Sequence, residues 1–310
     1  MSGNVVVLTG GVGGAKLVLG LQELAPPDRL TAIVNTGDDF RHLGLHISPD
    51  IDTLLYTLAG KANAEQGWGR AGESWSFMAA LRELGGEDWF ALGDHDLALH
   101  VLRTMRMARG DGLAQITADF ARSWGIGMAV LPMSEQVVAT HVLTDEGDLA
   151  FQRYFVERRC QPVVRAIRFA GADAATPAPG VVEAIEAADA ILIAPSNPFL
   201  SVDPMLAVPG IRAALGRARA PIVAVSPIIG GKAVKGPTAK LMAEMGLIVG
   251  NDAIARHYAG LVDGLLIDQG DPPPAGAIAS ARTDTMMRTV EDKRRVAQAA
   301  IDLARAVASA

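Results

Sequence analysis

The segment Gly10-Gly11-Val12-Gly13-Gly14-Ala15-Lys16 sets four glycines and a lysine directly after an apolar run. Glycines let a backbone turn sharply and come close to a ligand. A helix that starts there offers unpaired amides and the positive end of its dipole to an anion. The pattern matches neither of two well-known phosphate loops. In a dinucleotide fingerprint Gly11 and Gly13 fit, but Lys16 stands at the third glycine position. In a G-x-x-x-x-G-K-[ST] loop Gly10 and Lys16 fall in place, while Ala15 replaces the second glycine and Leu17 the magnesium-binding hydroxyl. Gly10, Gly11, Gly13, Gly14 and Lys16 are therefore candidates for a phosphate or nucleotide contact whose ligand the motif alone does not name.

Four carboxylates follow in two short segments, Asn35-Thr36-Gly37-Asp38-Asp39 and Ser48-Pro49-Asp50-Ile51-Asp52-Thr53. Hard oxygen donors of this kind suit Mg²⁺, which takes one or two carboxylates and completes its shell with water and substrate phosphates. A carboxylate can instead act as general base toward an alcohol. Helix capping by Asp50 or Asp52, and turns made by Asp38 or Asp39, are the structural alternatives. Two further polar turns close apolar runs: Ser196-Asn197-Pro198 and Ser226-Pro227-Ile228-Ile229-Gly230-Gly231-Lys232. Ser196, Asn197, Ser226 and the amides of Gly230 and Gly231 are candidates to hold a nucleotide. In Gly93-Asp94-His95-Asp96, with His100 beyond it, capping competes with a place at the edge of a site. Its histidines lack the i, i+4 zinc spacing. Trp68, Trp75 and Trp89 could stack on a flat heterocycle, with core packing as the simpler role.

The elements that must position these residues read as α/β. Residues 5–8 form a short β-branched strand. Leu17, Leu21 and Leu24 repeat at helical spacing before Pro26-Pro27 stops the helix, and 31–34 form the next strand. Strand, glycine turn, helix and strand make a right-handed βαβ unit with the turn at the carboxyl edge of the sheet. Residues 35–49 read as loop. Helices are expected over 76–84, 97–107 and 113–124. Strands follow at 127–131, 137–143 and 149–154, the last two joined by a Glu146-Gly147 hairpin turn. Then βα alternation resumes, with strands at 190–194, 222–225 and 265–267, the last one expected. Helices lie at 181–188, 211–217, 238–245 and 253–259, and an amphipathic helix closes the chain over 290–308. The expectation is one α/β domain over 1–310: a doubly wound, mostly parallel, Rossmann-like sheet with a more helical inserted lobe at about 60–125.

Bulk properties agree with a folded enzyme-sized chain. It has 310 residues, half of them hydrophobic, and a net charge of −6. An acidic chain lacks the positive field of a non-specific nucleic-acid binder, so no nucleic-acid partner is expected. Cys160 is the single cysteine, which allows no internal disulfide and suits a reducing compartment. No basic-then-apolar leader opens the chain and no apolar run is long enough to span a bilayer. A soluble cytoplasmic protein without a membrane partner is expected.

Together the motifs resemble the 2-phospho-L-lactate transferase family of coenzyme F-420 biosynthesis. The resemblance rests on residues 8–16, 34–39, 47–53, 92–94, 195–198 and 225–231, which run in family order. It implies a phospho-three-carbon acid (phospholactyl, phosphoenolpyruvyl or phosphoglyceryl) carried on a guanosine diphosphate-linked donor. The ribityl hydroxyl of the deazaflavin Fo would attack its phosphorus and GMP would leave. It also implies Mg²⁺ dependence and a homodimer. Carried over by position, the glycine turn and Ser196-Asn197 would hold the guanosine diphosphate. Asp38, Asp39 and Asp50 would hold metal. Asp52 and Asp50 would be catalytic, and Asp52 with His95 would meet the deazaflavin. On this reading Asp52→Ala abolishes turnover and leaves the fold intact. Rival readings are a nucleotide-sugar-binding metabolic regulator of the same superfamily, without transferase activity, and a nicotinamide-dependent dehydrogenase.

Overall fold

The computed structural model describes residues 3–63, 66–234 and 236–309. Its centre is a seven-stranded parallel sheet. We number only these strands: β1 (Val5–Thr9), β2 (Leu30–Val34), β3 (Ala129–Pro132), β4 (Ala190–Ile193), β5 (Ile222–Val225), β6 (Gly264–Asp268) and β7 (Ala279–Thr283). Their order across the sheet is β7-β6-β5-β4-β1-β2-β3. All residues of β1, β4, β5 and β6 are buried, as expected for strands covered on both faces and written as continuous apolar runs.

Topology places the site. The chain steps outward from β1 to β2 and β3, then returns to lay β4 on the other side of β1 and continues outward through β7. Val5 to Leu8 pair with residues of both β2 and β4. The switch point therefore lies between β1 and β4, where open α/β sheets bind ligands beyond the strands' carboxyl ends.

Helices cover both faces. On one, α1 (Gly11–Gln22) packs against α2 (Pro49–Leu58) and the closing helix Val290–Ala308. Leu17, Leu21, Leu54, Leu55, Val296 and Ile301 fill the space between. On the other, helices Val181–Glu186, Pro209–Arg217 and Asn251–His257 bury Val181, Ile185, Ile211, Leu215 and Ile254. The region expected to be helical contains α3 (Ser76–Glu83), α4 (Asp94–Ala108) and α5 (Leu113–Ser123). α5 packs on β3.

Three expectations change. The strand at 265–267 is not the last, because β7 adds a further parallel edge. The loop 35–49 contains a hairpin, Phe40–His42 with Leu45–Ile47, whose tip is Leu43 and Gly44 at positive φ. The expected hairpin exists as Ala139–Thr144 with Gly147–Ala150, but Val164–Ala170 joins it as a third antiparallel strand. Residues 151–154 leave it for a helical turn, because Phe151 and Tyr154, three apart, both bury into a small core with Leu200 and Leu241. α4 packs on the strand Leu45–Ile47, which brings its polar face to the acidic segments.

Candidate functional site

Gly10 is extended and forms the N-cap of α1 without a side-chain cap. Gly11 turns at φ +62, a left-handed conformation that strains any residue with a Cβ. That turn aims the Gly11 amide at Asp50, which accepts it on Oδ1 at 2.8 Å. Asn35 Nδ2 donates to Asp50 Oδ2 at 3.0 Å, and Asn35 Oδ1 accepts the Gly37 amide at 2.8 Å. The glycine turn, the end of β2 and the start of α2 thus meet on one carboxylate. A Cβ on Gly13 would lie 2.6 Å from the Pro195 carbonyl oxygen, so glycine there lets α1 rest on the turn after β4. Ser196 Oγ donates to the Gly10 carbonyl at 2.7 Å. Asn197 Oδ1 accepts from the Phe199 and Leu200 amides, and its buried Nδ2 has no partner among the described residues. Amides in the first turn of α1 lack intrahelical partners and carry the positive end of the dipole. Asp50 takes one of them, and the others are donors of the kind a phosphate meets.

The acidic segments pack beside this turn. Ser48, not Asp50 or Asp52, is the N-cap of α2, and both aspartates sit in its first turn, where a carboxylate complements the dipole. Burial pushes Asp50 up to about 6, against hydrogen bonds from Asn35 and Gly11 that hold it down. Burial, with the charge of Asp50, pushes Asp38 well above the usual carboxylate range. Asp39 is also raised by burial, opposed by His46 and Ser48. Its Oδ2 accepts from Ser48 Oγ at 2.7 Å and lies 3.1 Å from His46 Nε2. Asp38 Oδ1 and Asp39 Oδ1 are buried and have no hydrogen-bond partner among the described residues. Acids crowded in this way favour a cation. Among the described residues no three His, Cys, Asp or Glu side chains form a ready metal cluster. The donor set fits Mg²⁺ only in its usual form, with one or two carboxylates and the remaining positions filled by water and phosphate oxygens.

Asp52 is held differently. Both its oxygens pair with the Arg103 guanidinium on α4. Asp52 is 4% exposed and Arg103 0%. His100 Nδ1 lies 3.6 Å from Asp52 and its Nε2 3.3 Å from Asp96, which also accepts the Tyr56 hydroxyl. Asp52 thus anchors α2 to α4, and the fold-preserving Asp52→Ala expected from the motif does not follow, because that change strands a buried arginine charge.

Other candidates lie apart from the glycine turn or are already engaged. Lys16 Nζ donates to the Met287 carbonyl at 2.9 Å. Ser226 Oγ donates to Asn251 Oδ1 at 2.6 Å and accepts the Ile228 amide. The Gly230 and Gly231 amides donate to the Asp271 carboxylate at 3.1 and 2.8 Å. These groups follow β5, two strands from β1, or about 10 Å at ordinary strand spacing. His95 is exposed at the lobe surface, its amide on Glu73 and its Nδ1 3.5 Å from the same carboxylate. Asp94 accepts the Ser76 and Phe77 amides and so caps α3 rather than its own helix.

Asn35, Arg103 and His46 shape the site without having been singled out. Asp96, His100 and Arg103 follow i, i+4, i+7 spacing on α4, and that polar stripe was the available signal.

With this geometry in view, relatives can be placed. The family model for 2-phospho-L-lactate transferase CofD matches residues 5–307. The phosphoenolpyruvate transferase of Kitasatospora aureofaciens is 44% identical over 316 residues, covering 98% of each chain. That of Streptomyces coelicolor (strain ATCC BAA-471 / A3(2) / M145) is 41% identical over 318 residues, covering 99% of this chain and all of its own. A Bacillus halodurans protein of the upf0052 family superposes with a TM-score of 0.64 over 97% of this chain and 100% of its own, at 18% identity. This last likeness speaks for the fold alone. The regulator and dehydrogenase readings give way, because the family model and the curated transferases match nearly the whole chain. This chain belongs to the 2-phospho-L-lactate transferase family and is a transferase of coenzyme F-420 biosynthesis.

Proposed function

We propose that the chain transfers a phosphoenolpyruvyl unit from a guanosine diphosphate-linked donor to the ribityl hydroxyl of the deazaflavin Fo, with release of GMP. The choice among three-carbon units rests on the curated relatives, which are named phosphoenolpyruvate transferases. In this reading the diphosphate lies at the α1 N-terminus, between the glycine turn and Ser196-Asn197. The acceptor hydroxyl attacks the phosphorus that bears the three-carbon unit. A new P–O bond forms, the bond to the oxygen bridging the two phosphates breaks, and that oxygen leaves with GMP. The hydroxyl proton passes to a carboxylate.

Asp50 suits that role better than Asp52. Burial sets its proton affinity near 6, close to what a general base working near neutrality needs. Both oxygens of Asp52 are tied to the Arg103 cation, so Asp52 positions the acidic segment, whereas each oxygen of Asp50 accepts one hydrogen bond from a neutral amide and keeps a further lone pair for a proton. Asp38, with Asp39 beside it, would hold Mg²⁺. The ion would neutralise phosphate charge, which such a reaction needs more than covalent help.

The single observation that carries the reading is the convergence of the Gly11 amide, Asn35 and Asp50 at the carboxyl ends of β1 and β2, beside the switch point. The test is to incubate protein, Fo and Mg²⁺ with each of the three guanosine donors and weigh the products. The expected product is Fo plus the phosphoenolpyruvyl unit, with one GMP per turnover. Absence of any Fo adduct with all three donors would overturn the proposal.

A further inference from the structure

Beyond the Ser196-Asn197 turn the chain makes a helical turn, Pro198–Val202, whose residues are all buried. Two bonds fix it in place. The Ser201 amide donates to the Asn197 carbonyl at 2.9 Å. Asn35 Nδ2, which donates to Asp50 Oδ2 at 3.0 Å, also reaches the Leu200 carbonyl at 3.3 Å. A single carboxamide thus holds the residue before Ser201 and the carboxylate of Asp50 together. Gly10 fills the gap between them. A Cβ there would lie 2.6 Å from Asp50 Oδ2 and 2.8 Å from Ser201 Cβ, so the two side chains flank the same point at the glycine turn.

Ser201 is 7% exposed. Its hydroxyl has no hydrogen-bond partner among the described residues, yet it is not sealed from solvent. The neighbouring hydroxyls differ. Ser196 Oγ is spent on the Gly10 carbonyl and Ser48 Oγ on Asp39. The side-chain oxygens of Thr9, Thr36 and Thr140 are sealed in the interior. A hydroxyl that is fixed, mostly buried and still free to donate is one that a ligand can satisfy.

We propose that Ser201 is a further catalytic residue, whose hydroxyl donates to a non-bridging oxygen of the phosphorus under attack, beside the carboxylate of Asp50. The inference rests on the proposed transfer from a guanosine diphosphate-linked donor. In phosphoryl transfer negative charge is spread over those oxygens. A carboxylate as close as Asp50 repels that charge, and a fixed neutral donor next to it offsets the repulsion without competing for the acceptor's proton. The serine oxygen forms no bond to phosphorus and keeps its own proton. Transfer remains a single displacement, in which the acceptor oxygen bonds to phosphorus and the bridging oxygen leaves with GMP.

The test measures steady-state turnover with Fo, the phosphoenolpyruvyl donor and Mg²⁺ in the unaltered chain, Ser201→Ala and Ser201→Cys. Guanosine diphosphate affinity by calorimetry checks that the variants fold. Ser201→Ala should lower kcat about 100-fold, the low end for loss of one donor to transition-state charge, and leave both KM values and guanosine diphosphate affinity within about threefold. Ser201→Cys nearly conserves shape but offers only a weak donor. It should fall with the alanine variant, whereas a packing role would leave it near the unaltered chain. Either variant turning over within about threefold of the unaltered chain, or losing guanosine diphosphate affinity as far as turnover, would overturn the proposal. So would a burst of GMP without Fo, the mark of a covalent phosphoserine route. If the unaltered chain forms no Fo adduct with any guanosine donor, the proposed function itself falls, a result distinct from a defect confined to the variants.

Discussion

Arg103→Met offers a quantitative test of the buried pair behind the acidic segments. Arg103 and Asp52 join α4 to α2 through two hydrogen bonds, both partners out of water. Removing only the arginine leaves Asp52 buried and unpaired, which costs about 3–5 kcal/mol in comparable cases. Asp52→Leu alone strands the guanidinium and should cost a similar amount. The double variant removes both charges and both desolvation penalties while nearly conserving volume. It should lie within about 2 kcal/mol of the parent. The coupling from the cycle is then several kcal/mol, well beyond the error of such cycles. Urea unfolding followed by circular dichroism at neutral pH supplies the four stabilities. Single variants that each cost less than about 1 kcal/mol and add in the double would refute the reasoning. Turnover of the double variant separates two roles of Asp52. A folded but inactive double shows that the carboxylate touches a substrate, and substantial turnover shows that it acts by positioning α2.

Three further outcomes follow. In metal-free protein, the raised Asp50 and Asp38 hold their protons more tightly folded than unfolded. Their contribution is full below the ordinary carboxylate value of 3.8 and is lost as pH rises through about 6 at Asp50. Asp50→Asn should therefore gain on the parent as pH rises, by up to about 3 kcal/mol before the loss of the Asn35 hydrogen bond is deducted. Unfolding midpoints at pH 4 and pH 8 check this, and equal gains at both contradict it. Gly13→Ala places a Cβ 2.6 Å from the Pro195 oxygen, so α1 must part from the turn after β4. A loss of about 1–3 kcal/mol in stability and a clear drop in guanosine diphosphate affinity by calorimetry are expected. Asp94→Ala removes the acceptor of the Ser76 and Phe77 amides and should lower the melting temperature slightly, as loss of a cap does, with an unchanged melting temperature contradicting the capping role.

The sheet was legible wherever burial wrote itself into composition. Residues of β1, β4 and β5 are apolar on both sides because helices cover both faces. β7 was not legible, since its Ala-Ser-Ala-Arg-Thr sequence is largely exposed and held by backbone pairing to β6. The site divides in the same way. Asp50 beside the glycine turn could be anticipated, because both motifs flank elements that end on one rim. The ties of Arg103 to Asp52 and of Asp271 to Gly230 and Gly231 bridge distant stretches of chain. Neither leaves a local pattern. Lys16 illustrates the converse: its place in the motif suggested phosphate, but its amine reaches the carbonyl of Met287 before the closing helix.

The most direct measurement is a crystal structure of the protein with guanosine diphosphate and Mg²⁺. The expected density places the phosphates against the amides that open α1, near Asn197, with the cation between a phosphate oxygen and Asp38 or Asp39. A nucleotide bound away from the β1–β4 switch point, with those carboxylates facing only protein, would contradict the account.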